Sequence, residues 1–430
     1  MTEELPRGWA WAELGTIADT QLGKMLSQKS RQGLEPYPYL RNRNVQWHRF
    51  DFAEIARMDF SDVELRKYEL RPGDLLVCEG GEVGRCAVWR KPPGEMYFQK
   101  ALHRVRPVKG VEIKWIEYSL RWSAETGRFG GSTSGSTITH LPQRDLRMLQ
   151  VPLAPTVEQG RIVAAIEEHF SSLDAVEATQ RQVIRRINIL KSSLLTDAFR
   201  MNGDLPPDWQ QKTIGEVAQV QLGRQRSPEH HTGPQMRPYL RSANVTWEGI
   251  SLEDVKQMNF DDADFETYRL ESGDLLLNEA SGSPGEVGKP AIWGEEIENC
   301  CFQNTLLRLR SSEVDIGYLY WYCYASALSG HFGDAGRGVN IRHLGKGGLA
   351  RFPIPVAPRD QQVRIAAQLD QQLEQTKRLW QTAQEVLNRV AALRQAVLSQ
   401  AFSGRLVPQD PDDEPASALL DRIAASRRPT

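Results

Sequence analysis

The sequence predicts an α+β protein: two homologous mixed α/β modules separated by two long helices that form an antiparallel coiled coil. Three observations predict it. The chain repeats itself at an offset of about 200 residues; each copy contains short β-rich runs punctuated by Gly and Pro; and each copy ends in a long stretch of heptad-spaced apolar residues.

The duplication is read directly. LPRGWAWAELGTIADTQLGK (Leu5 to Lys24) returns as LPPDWQQKTIGEVAQVQLGR (Leu205 to Arg224), an offset of 205 − 5 = 200. PYLRNRNVQW (Pro38 to Trp47) and RPGDLLVCEG (Arg71 to Gly80) return in the same register as PYLRSANVTW and ESGDLLLNEA. GEVGRCAVW pairs with GEVGKPAIW at 285 − 81 = 204, and ITHL with IRHL at 341 − 138 = 203. Such length changes fall in loops, which absorb them. A repeat this long is a duplicated domain, since solenoid units run to about 20–50 residues. The runs DLLVC, RCAVW and ALHRVRP predict a mixed, mostly antiparallel sheet, with helical patches near Trp115 to Thr126 and Tyr318 to Leu328. Trp47/Trp247, Trp89/Trp293 and Phe98/Phe302 occur in both copies and are read as core.

The long stretches run from Thr156 to Arg200 and from Arg359 to Ser403. The first places Ile162, Ile166, Leu173, Val176, Val183, Ile187, Leu190 and Leu194 on a heptad seam. The second places Ile365, Leu369, Leu379, Ala383, Val386, Val390, Leu393 and Val397, interrupted by polar Gln372 and Thr376. Thr156 with Gln159 reads as a capping box after Pro155, and Asp360 as the cap of the second helix. Helices of this length form rods of about 65–70 Å at about 1.5 Å per residue. The expected partition is therefore 1–155 module, 156–203 helix, 204–358 module, 359–403 helix, and 404–430 an acidic, Pro-rich connector ending in a short amphipathic helix. Whether that last helix docks is not fixed by its sequence.

At 430 residues, with 40% hydrophobic and 25% charged residues, the composition is that of a globular protein. A net charge of −2 supplies no global basic field, so any nucleic-acid contact must be local. Five cysteines without a C-x-x-C pair suggest neither a disulfide framework nor a zinc site, consistent with a reducing cytosol. There is no export signal and no apolar run long enough for a membrane span, so a cytoplasmic location is expected. No catalytic constellation is visible: no N/D-P-P-aromatic methyltransferase signature, no phosphate-binding P-loop, and no metal-binding carboxylate pattern. GEVGKP is read as a glycine-turned hairpin, His230-His231 as a poor metal site, and His140/His343 as structural or DNA-facing rather than catalytic.

The copies agree in scaffold and differ in loops, as expected of modules that read different ligands. Met25 to Tyr37 faces Gln225 to Arg237, offering Lys24, Lys29 and Arg31 against Arg224 and Arg226. The LRxxNV segments offer Arg41, Arg43 and Asn44 against Arg241 and Asn244, residue types that bind guanine and adenine edges or phosphates; their recurrence equally suits a structural role. Gly130 to Thr139 faces Gly333 to Arg342, offering Ser134, Ser136 and Thr137, followed by His140, against Arg337, Asn340, Arg342 and His343. Flexible linkers are the plain alternative for these stretches.

With two modules, two long helices, the PxxEQxRI-like entry at Pro155 to Ile162 and the VPQDPxDEPASxLLxRI tail, the whole chain resembles the specificity subunit of Type I restriction-modification enzymes. The second entry, PRDQQVRI, departs by carrying Gln at 361. The resemblance implies a non-catalytic subunit whose two target recognition domains each read half of a split, asymmetric site on double-stranded DNA, with the helices as a ruler. It further implies docking of two methyltransferase subunits and of restriction motor-nuclease subunits. S-adenosylmethionine, ATP and Mg2+ would be bound by those partners and no cofactor by this chain. A specificity subunit of a related system with fused methylation and cleavage, or a coiled-coil scaffold binding proteins only, are the alternatives; a stand-alone nuclease is the weakest.

Overall fold

The computed structural model describes residues 5–26, 36–90, 94–129, 140–201, 203–281, 286–335 and 342–427. The chain divides into two compact units, Met1–Thr179 with Glu385–Thr430, and Gln180–Gln384. Each holds one module together with part of both long helices.

In the first module an antiparallel four-stranded sheet runs in the order Ala18–Leu22, Leu102–Pro107, Leu75–Cys78, Cys86–Val88. The second repeats it with Gln219–Leu222, Leu306–Arg310, Leu275–Asn278 and Pro290–Ile292. The apolar runs LLVC and LLLN are covered on both faces. Leu75 and Val77 enter one core, Leu76 and Cys78 another; Leu275 and Leu277 part from Leu276 in the same way. Alternate side chains of a strand point to opposite faces, so a strand buried on both sides reads as a continuous apolar run. The glycine before each run lies at positive φ, and the following aspartate closes its turn by accepting from the Arg71 or Glu271 amide, each at 2.8 Å. The same buried carboxylates, Asp74 and Asp274, bind Arg106 and Arg310 in fork geometry. A three-stranded sheet completes each module and supplies the parallel pairings, Tyr39 opposite Tyr97 and Tyr239 opposite Cys301. Trp89, Trp293, Phe98 and Phe302 are fully buried, whereas Trp47 and Trp247 are half-buried.

Each module closes by pairing its first strand with its last, Ala10–Glu13 with Gln150–Leu153 and Gln210–Thr213 with Pro353–Val356. The long helices then begin, Thr156–Ala198 and Arg359–Phe402. Their anchoring differs from the capping box expected. The Thr156 hydroxyl donates to the Gly110 carbonyl, and Asp360 lies inside its helix beside Arg364. The buried glutamines Gln159 and Gln362 instead donate to the Ala154 and Ala357 carbonyls and accept from the Glu112 and Asp315 amides. The departure at 361 also finds its reason. Trp9 donates its indole N–H to Glu158 at 3.0 Å, and Trp209 donates to the Gln361 amide oxygen at 3.0 Å, so Gln keeps the bond without a buried charge. Burial raises the Glu158 carboxyl above the usual carboxylate range. A folded pKa above the unfolded one disfavours folding once the group ionises. Glu158→Gln is therefore expected to raise the thermal midpoint at pH 7–8, with the gain vanishing below about pH 4, where both side chains are neutral; melts that match at every pH would contradict this.

Within each unit the two helices pack antiparallel. Ile162, Ile166 and Phe170 share a core with Leu398, Ala401 and Phe402, and Arg394 pairs with Asp174 and Glu177; Leu195 and Phe199 share a core with Leu369 and Leu373. The expected seam of the second helix holds in part. Leu369, Ala383 and Val390 are buried, as is the polar Thr376, together with Ala366 and Leu373, while Leu379 and Leu393 are exposed. Thr376 fits the seam because its hydroxyl is satisfied by donating to the Leu373 carbonyl at 2.8 Å. On the first helix Val176 and Leu190 are likewise exposed.

The C-terminal helix Ala416–Ser426 docks on the first module. Ala416, Leu419 and Ile423 join its core, the Ala416 amide donates to the Gly8 carbonyl, Asp413 pairs with Arg161, and Arg427 reaches the Gly15 carbonyl and Asp19.

Candidate nucleic-acid interface

The differing loops spring from a frame that is nearly the same in both modules. Trp47 donates its indole N–H to Glu82 of the GEVG turn, and Trp247 donates to Glu286. Gly84 and Gly288 lie at φ 82° and 75°, and an added Cβ would run into the rings of Phe129 and Phe332. The glycines are thus required by the turn and its aromatic lid, and the hairpin reading holds for the described part of GEVG.

The LRxxNV segment is a second shared support. Asn44 is buried; its amide oxygen accepts from the Arg41 backbone, and its amide nitrogen donates to the Asp51 and Glu54 carbonyls, each at 2.9 Å. Asn244 makes the matching bonds to Arg241, Ser251 and Glu253. Both amides are fully engaged inside the protein, so the structural role is the one these asparagines fill, and they leave the set of base readers. Arg41 and Arg43 converge on Glu54, and Arg241 binds Asp254. The Arg41 hydrogen bond and the Arg43 charge hold the Glu54 carboxyl below its usual range; Lys256 first, then Arg241, do the same for Asp254.

Lys24 and Arg224 are also engaged. Lys24 donates to the Asp59 carbonyl and to Glu64, both at 2.6 Å, over the Phe60 ring. Arg224 pairs with Asp264 and the Asn259 carbonyl over Phe260. A side chain that buries its stem on an aromatic ring and spends its donors on a neighbouring helix is not an open cation, so these two positions brace the loop base. Arg226 is exposed, with no ion pair among the described residues.

His140 and His343 form equivalent latches. His140 Nε2 lies 3.0 Å from Glu79, His343 Nδ1 3.0 Å from Glu279, and the next residue, Leu141 or Leu344, donates its amide to the same glutamate's carbonyl. Both imidazoles are more than half exposed. They tie down the chain just after each Gly-rich stretch. Lys29, Arg31, Ser134, Ser136, Thr137, Arg337 and Asn340, and the side chain of Arg342, lie outside the described residues.

All five cysteines are buried thiols; burial pushes Cys78 up to about 11 and Cys300 and Cys301 up to about 12, far from nucleophilic at neutral pH. Among the described residues no His/Cys/Asp/Glu group is arranged to hold a metal, and no helix is long and apolar enough to cross a membrane. Two features were missed in the sequence: the buried Glu117 cluster and the exposed Arg144 and Arg147. The first carries no motif, and the second falls in a short helix after the loop.

Duplicated modules with a shared frame, each packed on part of two antiparallel helices, define a helix-linked, two-module protein. Residues 206–389 match the family model described as the Type I restriction modification DNA specificity domain. The chain is 22% identical to the Type I restriction enzyme EcoKI specificity subunit of Escherichia coli K12, over 99% of this chain and 96% of that one. It is 23% identical to the StySPI specificity subunit of Salmonella potsdam with the same coverage. Its fold is shared with a chain solved in work on assembly and conformational transition of the type I R-M system (TM-score 0.72, 18% identity, 94% of this chain and 99% of that one). It is also shared with the HsdS subunit from Thermoanaerobacter tengcongensis (TM-score 0.53, 20% identity, 94% and 99%). Residues 206–389 thus carry the Type I restriction modification DNA specificity domain, and the chain over nearly its whole length is similar to Type I restriction enzyme specificity subunits.

Proposed function

We propose that this chain recognises a bipartite, asymmetric site on double-stranded DNA, one half through each module, and docks two methyltransferase subunits together with restriction subunits. The observation that carries the reading is the pairing of equivalent frames with unlike loops: GGSTSGSTIT and GDAGRGVNIR both end at a His–Glu latch, yet share almost no side chains. Equal supports with unlike loops suit two different half-sites. The chain acts here without catalysis of its own; S-adenosylmethionine, ATP and Mg2+ belong to the partner subunits, and the complex works in the cytoplasm.

Docking of two copies of one partner is supported by exposed apolar residues that recur on the two helices at one offset: Val176 with Leu379, and Leu190 with Leu393, each 203 residues apart (379 − 176; 393 − 190). Apolar positions exposed beside a seam suit further helices. Leu190→Glu with Leu393→Glu is expected to leave the melting curve nearly unchanged and to weaken co-purification with the methyltransferase at least tenfold; undiminished co-purification would contradict the assignment.

The reading is tested by inserting one heptad within Thr156–Ala198. The methylated motif should keep both half-sites and change the spacer between them. An assembled, active complex with an unchanged spacer would refute the ruler role.

A further inference from the structure

The first module carries a groove of about 630 Å³ lined by Glu13, Thr16, Gln143, Arg144, Arg147 and Arg427. Arg144 and Arg147 are exposed and make no ion pair among the described residues. Arg427 donates to the Gly15 carbonyl and Asp19, which fixes the C-terminal helix as one wall. Gly15 gives Arg147 its place: a Cβ there would stand 3.1 Å from both the Cβ and the Nε of Arg147. Two guanidinium groups without an ion pair among the described residues, Arg144 and Arg147, thus share this groove with Glu13, while Arg427 is held by Asp19.

The two arginines have no counterpart in the second copy. At the offset of 203, Arg144 and Arg147 correspond to Gly347 and Ala350 (144 + 203; 147 + 203), and the C-terminal helix belongs to the first unit. Its helix, Gln143–Met148, begins three residues after His140, where the Gly/Ser-rich loop returns to the sheet through the Gly80–His140 bridge. The unpaired arginines therefore stand at the foot of the loop assigned to DNA.

We propose that Arg144 and Arg147 bind the phosphate backbone of the duplex next to the half-site read by the first module. This rests on the DNA-recognition reading above and adds a contact that holds one module's register without reading bases. Guanidinium forks suit phosphate oxygens, and each phosphate neutralised steepens the salt dependence of binding in a countable way.

The test uses the assembled complex of this chain with its methyltransferase subunits, and a duplex bearing the mapped motif. The dissociation constant is followed across KCl concentration. For Arg144→Ala/Arg147→Ala the slope of log K against log salt should fall by about 1 to 2, at roughly 0.9 per phosphate contact. Affinity should drop at least several-fold, while the methylated motif and the melting temperature stay as they were. Arg351→Ala, an exposed arginine of the second module, should leave the slope unchanged. An unchanged slope and affinity in the folded double variant would overturn the proposal. So would a defect confined to subunit assembly, which would assign the groove to an acidic partner surface. A wild-type complex that selects no motif would instead refute the DNA-recognition reading itself, before any variant is compared.

Discussion

Gly23→Ala is expected to destabilise the first module by on the order of 3 kcal/mol or more, and Gly223→Ala the second by a similar amount. An added Cβ at either position would fall inside the van der Waals surface of a backbone carbonyl, that of Gln99 or Gln303, and against the Phe98 or Phe302 ring. Neither obstacle can move. The carbonyl belongs to a crossing where the Gly23 amide donates to Leu102, Lys24 donates to Phe98 and Lys100 donates back to Lys24; Gly223, Arg224 and Asn304 repeat it. The rings lie at the centre of their cores. Calorimetry should show each variant lowering the transition of its own unit, while Gly203→Ala, with open space around its Cβ, should leave both unchanged. A Gly23→Ala protein that melts like the wild type would mean that the close crossing does not exist.

Glu117→Ala should cost about 3 kcal/mol at neutral pH, because it strips the largely buried Lys114 of its close partner and leaves it only the longer pair with Glu167 at 3.5 Å. Glu117 is wholly buried; Lys114 Nζ lies 2.7 Å from one carboxylate oxygen, and His48 Nδ1 and the Val88 amide each lie 3.2 Å from the other. Burial alone would raise the carboxyl, but the His48 hydrogen bond and the charges of His48 and Lys114 outweigh it and hold it below the usual range. With the folded pKa depressed, the stabilisation is present above the unfolded carboxylate pKa, about 4.3, and is lost as pH falls through the folded value. Glu117→Gln, which keeps the shape and one acceptor, should therefore trail the wild type at pH 7 and approach it in acid. Equal stability of Glu117→Ala and wild type at pH 7 would contradict the cluster. At the matching position of the second module, 117 + 203 = 320, stands Tyr320, so this charge pair belongs to one module alone.

These cases mark what the sequence makes legible. The duplication, both long helices and the β-rich runs are legible, because repeats, apolar spacing and glycine placement are read along the chain; that LLVC and LLLN are covered on both faces emerges only from packing. The seam register is legible only in part: Leu379 and Leu393 are better apolar candidates than Thr376, and only the partner helix decides that Thr376 faces inward. The same holds for charged loop residues. Lys24 looks like an open cation until Glu64 and the Asp59 carbonyl are placed beside it, and Asn44 looks like a base reader until the turn it closes is seen. Docking of the C-terminal helix also depends on distant partners, namely Gly8 and the Gly110 turn against Leu419.

Long-read mapping of methyladenine in cells carrying the cognate methyltransferase gene, with and without this chain, decides whether the chain selects the site. A split, asymmetric methylated motif is expected only when the chain is present. No motif, in cells where the complex is shown to assemble, would contradict site selection by this chain and leave a helical scaffold that binds proteins alone.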